Sequence, residues 1–198
     1  GVDAANVAAV GAALRQRQAE VEAACALVQR RPGETIVVWA AAGGVGSILV
    51  PWANALGARV IGVVSTPEKA KLAKEYGCWE TVLATEDVSA RVKELNGGKG
   101  VPVSYDSVGK SSAEASLKSL HPRGWFVTYG NASGPVDPIA PIRLSQGGSL
   151  VMTRPTLFSF TSTRPELERG ADLELPRELH RAWQDERPRA PEARSEST

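Results

Sequence analysis

The sequence predicts an α/β domain built on a doubly wound parallel sheet of about six strands, in the order 3-2-1-4-5-6. Three observations predict it. Between residues 32 and 160, short β-type apolar runs alternate with helix-like segments, the pattern of parallel strands joined by crossover helices. The first such run, Glu34-Thr-Ile-Val-Val-Trp39, empties into the glycine-rich turn Ala40-Ala-Ala-Gly-Gly-Val-Gly46 and then an apolar helical pattern. The total of 198 residues allows one domain of ordinary size with appendages.

The elements follow in order. Residues 1–31 read as one amphipathic helix, with Val7, Val10, Leu14, Val21, Cys25 and Val28 sharing a face. Thr35–Ala40 is the first strand and Gly46–Leu56 its helix. Pro51 removes a helical donor, so that helix is expected to kink or start late. Arg59–Val64 is the second strand. Ser65-Thr-Pro-Glu68 then offers a hydroxyl cap, a first-turn proline and an early acid to open a helix over Pro67–Tyr76. Glu80–Leu83 is a short third strand, followed by a helix over Glu86–Leu95 and a break at Asn96-Gly-Gly-Lys-Gly100. Val101–Asp106, a helix over Ser112–Leu120, Trp125–Gly130 and a sixth strand at Leu150–Thr153 complete the sheet. Residues 161–198 are dense in Arg, Glu and Pro. Such a segment buries too little apolar surface to offset its ordering entropy, so a mostly disordered tail is expected.

Composition narrows the function classes. A formal net charge of +1 gives no push toward nucleic acid. No apolar stretch is long enough to span a bilayer, and no signal-peptide layout opens the sequence. Cys25 and Cys78 stand in unrelated contexts and read as free thiols of a reducing compartment, the cytoplasm. With no CxxC or HExxH pattern and only His121 and His180, no metal site is expected.

Read as Ala41-x-Gly43-x-x-Gly46, the turn has the spacing of the Rossmann-type dinucleotide fingerprint, with alanine in the first glycine position. Small residues let the backbone turn tightly and let a pyrophosphate approach a helix N-terminus, where free N–H groups favour negative charge. The second strand ends in Ser65 and Thr66 with Lys69 one turn later, and not in the acid that would hold a free ribose 2′-hydroxyl. Small hydroxyls beside a cation suit a 2′-phosphate, hence NADPH over NADH. Glu68 works against that reading. Tyr105-Asp-Ser-Val-Gly109 and Tyr129-Gly-Asn-Ala-Ser-Gly134 follow strand C-terminal ends, where ligands sit in open parallel sheets. There Asn131 and Ser133 are candidates for the nicotinamide end. No acid–base or nucleophilic set stands out, and none is required where the cofactor carries the chemistry.

Several motifs in order now resemble one family: Pro32-Gly-Glu-Thr-Ile-Val-Val38, Ala40–Gly46, Trp52-Ala-x-Ala-Leu-Gly-Ala58, Tyr105–Gly109, Gly130-Asn-Ala-Ser-Gly-Pro135 and Thr153-Arg-Pro-Thr-Leu157. Together they are similar to the cofactor domain of zinc-free, zeta-crystallin-like quinone oxidoreductases of the medium-chain dehydrogenase/reductase superfamily. The resemblance implies NADPH-dependent reduction of a quinone or a similar small electrophilic carbonyl. It implies phosphate contacts at Gly43, Gly44 and Val45, and a 2′-phosphate among Ser65, Thr66 and Lys69. It further implies Ser107 along the cofactor, with Tyr129, Gly130, Asn131, Ala132, Pro155, Thr156 and Leu157 toward the nicotinamide. Where the family often has a tyrosine near the adenosine phosphate, this sequence has Ala84. The resemblance also implies a homodimer paired through the edge strand Leu150–Thr153. It begins after nearly all of the family's N-terminal catalytic domain, and residues 11–31 and the tail do not match. The alternative reading is therefore a non-catalytic dinucleotide-binding module or a truncated remnant.

Overall fold

The computed structural model describes residues 33–156. The expected N-terminal helix over 1–31, Cys25, Leu157, and the tail over 161–198 lie outside the described residues.

The described chain forms one six-stranded sheet in the order β3-β2-β1-β4-β5-β6, with every neighbouring pair parallel. Its strands are β1 (Thr35–Trp39), β2 (Arg59–Val64), β3 (Glu80–Leu83), β4 (Val101–Asp106), β5 (Leu120–Thr128) and β6 (Val151–Thr153). The connecting helices are α1 (Gly46–Ala55), α2 (Pro67–Glu75), α3 (Val88–Leu95), α4 (Ala113–Ser119) and α5 (Pro141–Gln146).

β1 is buried along its whole length, as a central strand covered on both faces requires. Alternate side chains feed two cores. Ile36 and Val38 pack with Leu49, Val50 and Ala53 of α1 and Ala73 of α2 on one face. Val37 and Trp39 pack with Val88 and Val92 of α3 and Leu117 of α4 on the other. This is the two-sided winding that the strand–helix alternation predicts. The strand order reverses on the two sides of β1, which opens a crevice beyond its C-terminal end, between the turns that follow β1 and β4.

Several local expectations are corrected. α1 starts at Gly46, at its expected position, and runs through Pro51. The proline withholds only the donor that the Ser47 carbonyl would receive, and the apolar face Leu49, Val50 and Ala53 holds the helix to the sheet. α3 starts at Val88 because Asp87 caps it, Oδ1 accepting from the Ala90 N–H at 3.0 Å.

β5 begins at Leu120, five positions before the expected strand start, so α4 ends at Ser119. Val101 pairs with Leu120 and Val103 with Trp125, so His121–Gly124 loop out of register opposite Pro102. A proline without an N–H belongs at such a ladder break. Arg123 takes a left-handed φ of 66° there. The short helix α5, which buries none of its residues, has too little apolar periodicity to be read from the sequence.

Candidate functional site

The turn after β1 is a tight knot. The Gly43 N–H donates to the Ala40 carbonyl at 2.7 Å, with Ala40 at a left-handed φ of 52°. The Ser47 N–H donates to the Gly43 carbonyl at 2.9 Å, and the Ser47 hydroxyl to the Gly44 carbonyl at 2.9 Å. A Cβ on Gly46 would stand 2.2 Å from the Ala41 carbonyl oxygen, so only glycine lets α1 leave the sheet this closely. Among the described residues, no acceptor takes the N–H of Gly44, Val45 or Gly46. No side chain caps α1 and no acid stands in its first turn. Three free donors at a helix N-terminus make an anion site with no charge of its own to compete.

The end of β2 lies beside this turn, because Trp39 pairs with Val63 and the Ala41 N–H donates to the Val63 carbonyl at 3.3 Å. Of the two hydroxyls before Pro67, Thr66 and not Ser65 caps α2, its Oγ1 accepting from the Lys69 N–H at 3.3 Å. Ser65 is therefore left to pair with the Lys69 ammonium at 3.2 Å. Ser65 and Lys69 are exposed and Thr66 is half-buried. Glu68 is exposed beside them. Its own backbone N–H and the Thr66 hydroxyl hold its carboxyl below the usual range. It brings negative charge near the cation, as the sequence warned. Ala84 also reaches this corner, its N–H donating to the Val64 carbonyl at 2.8 Å, without a ring to offer.

Of the run Tyr105–Gly109, Tyr105 and Asp106 are fully buried, so they are not direct ligand contacts. Asp106 instead anchors the loop. Its Oδ1 accepts from the Val108 N–H at 2.8 Å and the Gly109 N–H at 3.0 Å, and lies 2.8 Å from the Ser112 hydroxyl. Its Oδ2 accepts from the Ser116 hydroxyl at 2.6 Å. The sequence could not separate this role from ligand contact, because the two serines that complete it are Ser112, just before α4, and Ser116, within it. Ser107 remains half-buried on the crevice, its hydroxyl reaching the Trp39 carbonyl at 3.5 Å.

The loop after β5 is locked to the loop after β4. A Cβ on Gly130 would stand 2.3 Å from the Ser107 carbonyl oxygen. The Ala132 N–H donates to that same oxygen at 3.3 Å, and the Ser133 N–H to the Val108 carbonyl at 2.8 Å. Ser133 is a second correction. Its hydroxyl donates to the Val108 carbonyl at 2.8 Å and accepts from the Ser111 N–H at 3.0 Å, so both of its functions are spent inside the protein. Asn131 and Ala132 are exposed, and Tyr129 and Gly130 half-buried. Arg154, which carries no motif signal of its own, also lies at this turn. Its guanidinium donates to the Gly130 carbonyl at 3.0 Å, a lone charge in the otherwise uncharged Thr153-Arg-Pro-Thr-Leu157 motif. Pro155 and Thr156 follow it beyond β6.

The structure thus gathers Gly43, Gly44, Val45, Ser65, Thr66 and Lys69 at the adjacent ends of β1 and β2. It places Ser107, Tyr129, Gly130, Asn131, Ala132, Pro155 and Thr156 beyond the ends of β4, β5 and β6. No group of three or more His, Cys, Asp or Glu side chains among the described residues is placed to hold a metal ion. No described helix is long and apolar enough to cross a membrane.

Residues 44–174 match the protein family described as zinc-binding dehydrogenase. A quinone oxidoreductase of Pseudomonas aeruginosa is 54% identical over 143 residues, covering 72% of this chain and 44% of that protein. A 2-haloacrylate reductase of a Burkholderia species is 49% identical over 143 residues, covering 71% of this chain and 43% of that protein. The solved structure of Escherichia coli quinone oxidoreductase complexed with NADPH superposes with a TM-score of 0.75 at 42% identity, covering 79% of this chain and 48% of that one. The chain spans less than half the length of these relatives.

Proposed function

This chain belongs to the zinc-binding dehydrogenase family, and from that premise we propose that it is the cofactor-binding half of an NADPH-dependent oxidoreductase of quinone reductase type. One observation carries the reading. Three unclaimed N–H groups at the start of α1 stand beside a hydroxyl–ammonium pair at the end of β2. The first suits a pyrophosphate and the second a ribose 2′-phosphate, the two anionic groups of NADPH.

Gly44, Val45 and Gly46 donate backbone N–H bonds to the pyrophosphate, and Gly43 keeps the turn small enough for its approach. Ser65, Thr66 and Lys69 surround the 2′-phosphate, and an ammonium there supplies a charge-assisted bond that NADH cannot use. Ser107 lies along the cofactor. Tyr129, Gly130, Asn131 and Ala132, with Pro155 and Thr156, bound the nicotinamide side and hold the ring toward substrate. When bound, NADPH supplies a hydride to a quinone or a similar activated carbonyl. The 2-haloacrylate reductase among the relatives extends the acceptor class to activated alkenes. The metal-donor set among the described residues does not fit zinc. His121 faces the Pro122 carbonyl, and burial pushes the Cys78 thiol up to about 12. Zinc-independence is part of the proposal.

β6 pairs with β5 on one side and is the edge of the sheet among the described residues, so a second copy pairing there is part of the proposal. A free buried thiol and a reducing cofactor suit the cytoplasm.

Fluorescence titration of the chain with NADPH and NADH tests the site. Saturable binding with NADPH clearly favoured supports it, and no binding at millimolar cofactor overturns it. The second reading is a dinucleotide-binding module without turnover. NADPH binding without quinone-dependent NADPH oxidation would decide for that reading.

A further inference from the structure

We propose that Arg154 is a positioning residue for the nicotinamide half of the cofactor site, a role that rests on the cofactor reading above. Arg154 follows β6 directly, and β6 is held beside β5 by the pairing of Val127 with Thr153. From there its Nη1 donates to the Gly130 carbonyl at 3.0 Å and reaches the Thr128 Oγ1 at 3.4 Å. With the Asn131 amide turned so that both of its ends are satisfied, the Asn131 nitrogen donates to the Gly130 carbonyl at 2.8 Å. The Asn131 oxygen then accepts from Arg154 Nη2 at 3.3 Å. One planar guanidinium thus grips two consecutive residues of the turn after β5, with its two terminal nitrogens in a fixed fork.

The rest of that turn is held from the opposite side. The backbone of Ser107 and Val108 accepts from Ala132 and Ser133, and Gly130 is pressed against Ser107 too closely for a Cβ. Those contacts fix the height of the turn over the sheet. They do not fix the direction of the Asn131 side chain, which is exposed. Arg154 does so, through the two bonds to Asn131 and Gly130. It makes no ion pair among the described residues, so its donors are spent on this turn and not on a carboxylate. A lysine in its place presents a single ammonium without the fork and cannot hold both partners in one geometry. A loop pre-set in its bound shape binds its ligand without a further ordering cost.

The test separates the two halves of the cofactor. Adenosine 2′,5′-bisphosphate probes the adenosine end at Ser65 and Lys69, and NADPH probes both ends. Arg154→Met in the full chain is expected to weaken NADPH about five- to tenfold, as loss of hydrogen bonds to a ligand-facing loop does, while leaving adenosine 2′,5′-bisphosphate within about twofold of wild type. Arg154→Lys, which keeps the charge on a single donating nitrogen without the fork, should fall between, and it carries the test if Arg154→Met does not fold. Equal weakening of both ligands, or no weakening of NADPH, overturns the proposal. A wild-type chain that binds the bisphosphate as tightly as NADPH overturns it too, and leaves the 2′-phosphate reading standing. Binding of neither ligand overturns both.

Discussion

The Lys69 ammonium donates to the Ser65 hydroxyl across 3.2 Å, folding the cation of α2 back over the end of β2. The pairing is possible because Thr66 takes the capping role and leaves Ser65 without it. Both side chains are exposed, and Lys69 forms no salt bridge with a described carboxylate. The pair is set to receive an anion. Lys69→Ala should weaken NADPH roughly tenfold or more through loss of a charge-assisted bond, with NADH unchanged. As a surface substitution it should move stability by less than about 0.5 kcal/mol. Paired titrations and a thermal melt check this. A parallel loss of NADH affinity would place Lys69 elsewhere than on the 2′-phosphate.

Gly46→Ala places a methyl 2.2 Å from a backbone oxygen that no rotamer change can move. Either α1 backs away from the sheet or the Ala40–Gly46 turn opens. The expected cost is about 1–3 kcal/mol in urea unfolding, the range for overpacking a close contact. NADPH affinity should drop with it, because the same shift scatters the N–H groups of Gly44 and Val45. Full-strength NADPH binding by this variant would show that the turn does not need its present geometry.

Asp106 is a buried carboxylate satisfied by two backbone N–H groups and two serine hydroxyls. Asp106→Ala takes the buried acceptor from the Gly109 N–H and the Ser116 hydroxyl, while the Ser112 hydroxyl keeps the Gly109 carbonyl and Val108 is half-buried, so about 2–3 kcal/mol of stability should be lost. Asp106→Asn keeps the shape and one accepting oxygen, and should cost less than half as much. Denaturant midpoints of the two variants are the measurement. Equal costs would mean that the lost accepting oxygen and its charge matter and the volume of the side chain does not.

Burial pushes the Cys78 thiol up to about 12, with Lys74 pulling weakly the other way. The folded chain keeps this proton where the unfolded chain has begun to release it, above a pH of about 9. Its contribution to stability is therefore whole below about pH 9 and lost as the pH rises toward 12, with a slope approaching about 1.4 kcal/mol per pH unit. Cys78→Ala should flatten that alkaline loss relative to wild type in unfolding curves between pH 8 and 11. At pH 8 the native thiol should resist iodoacetamide. Rapid alkylation of the folded chain would contradict its burial.

Much of the architecture was legible in the sequence because it rests on short-range patterns. The boundaries of β2 and β4 follow from apolar runs that Gly57 and Ser65, and Gly100 and Ser107, bracket, and the parallel sheet follows from the alternation of such runs with helices. The exceptions have local causes. The start of β5 is hidden because His121-Pro-Arg-Gly124 breaks the strand pattern, and only the pairing of Leu120 with Val101 makes Leu120 a strand residue. The short helix α5 buries nothing, so it leaves no periodic trace.

By itself the sequence determined the alternation of strands and helices and the tight glycine turn at Gly43–Gly46, since each depends on residues adjacent or one helical turn apart. Only the tertiary structure decided which polar side chains face the crevice and which are consumed by the protein. Asp106 is spent on Ser116 ten positions away, Ser133 on Val108 twenty-five positions back, and Arg154 on Gly130 twenty-four positions back. A hydroxyl or a charge in a loop has the same sequence signature whether its partner is a ligand or another loop. The partner is chosen by how closely the strand ends approach, and the pairing of β4, β5 and β6 sets that distance.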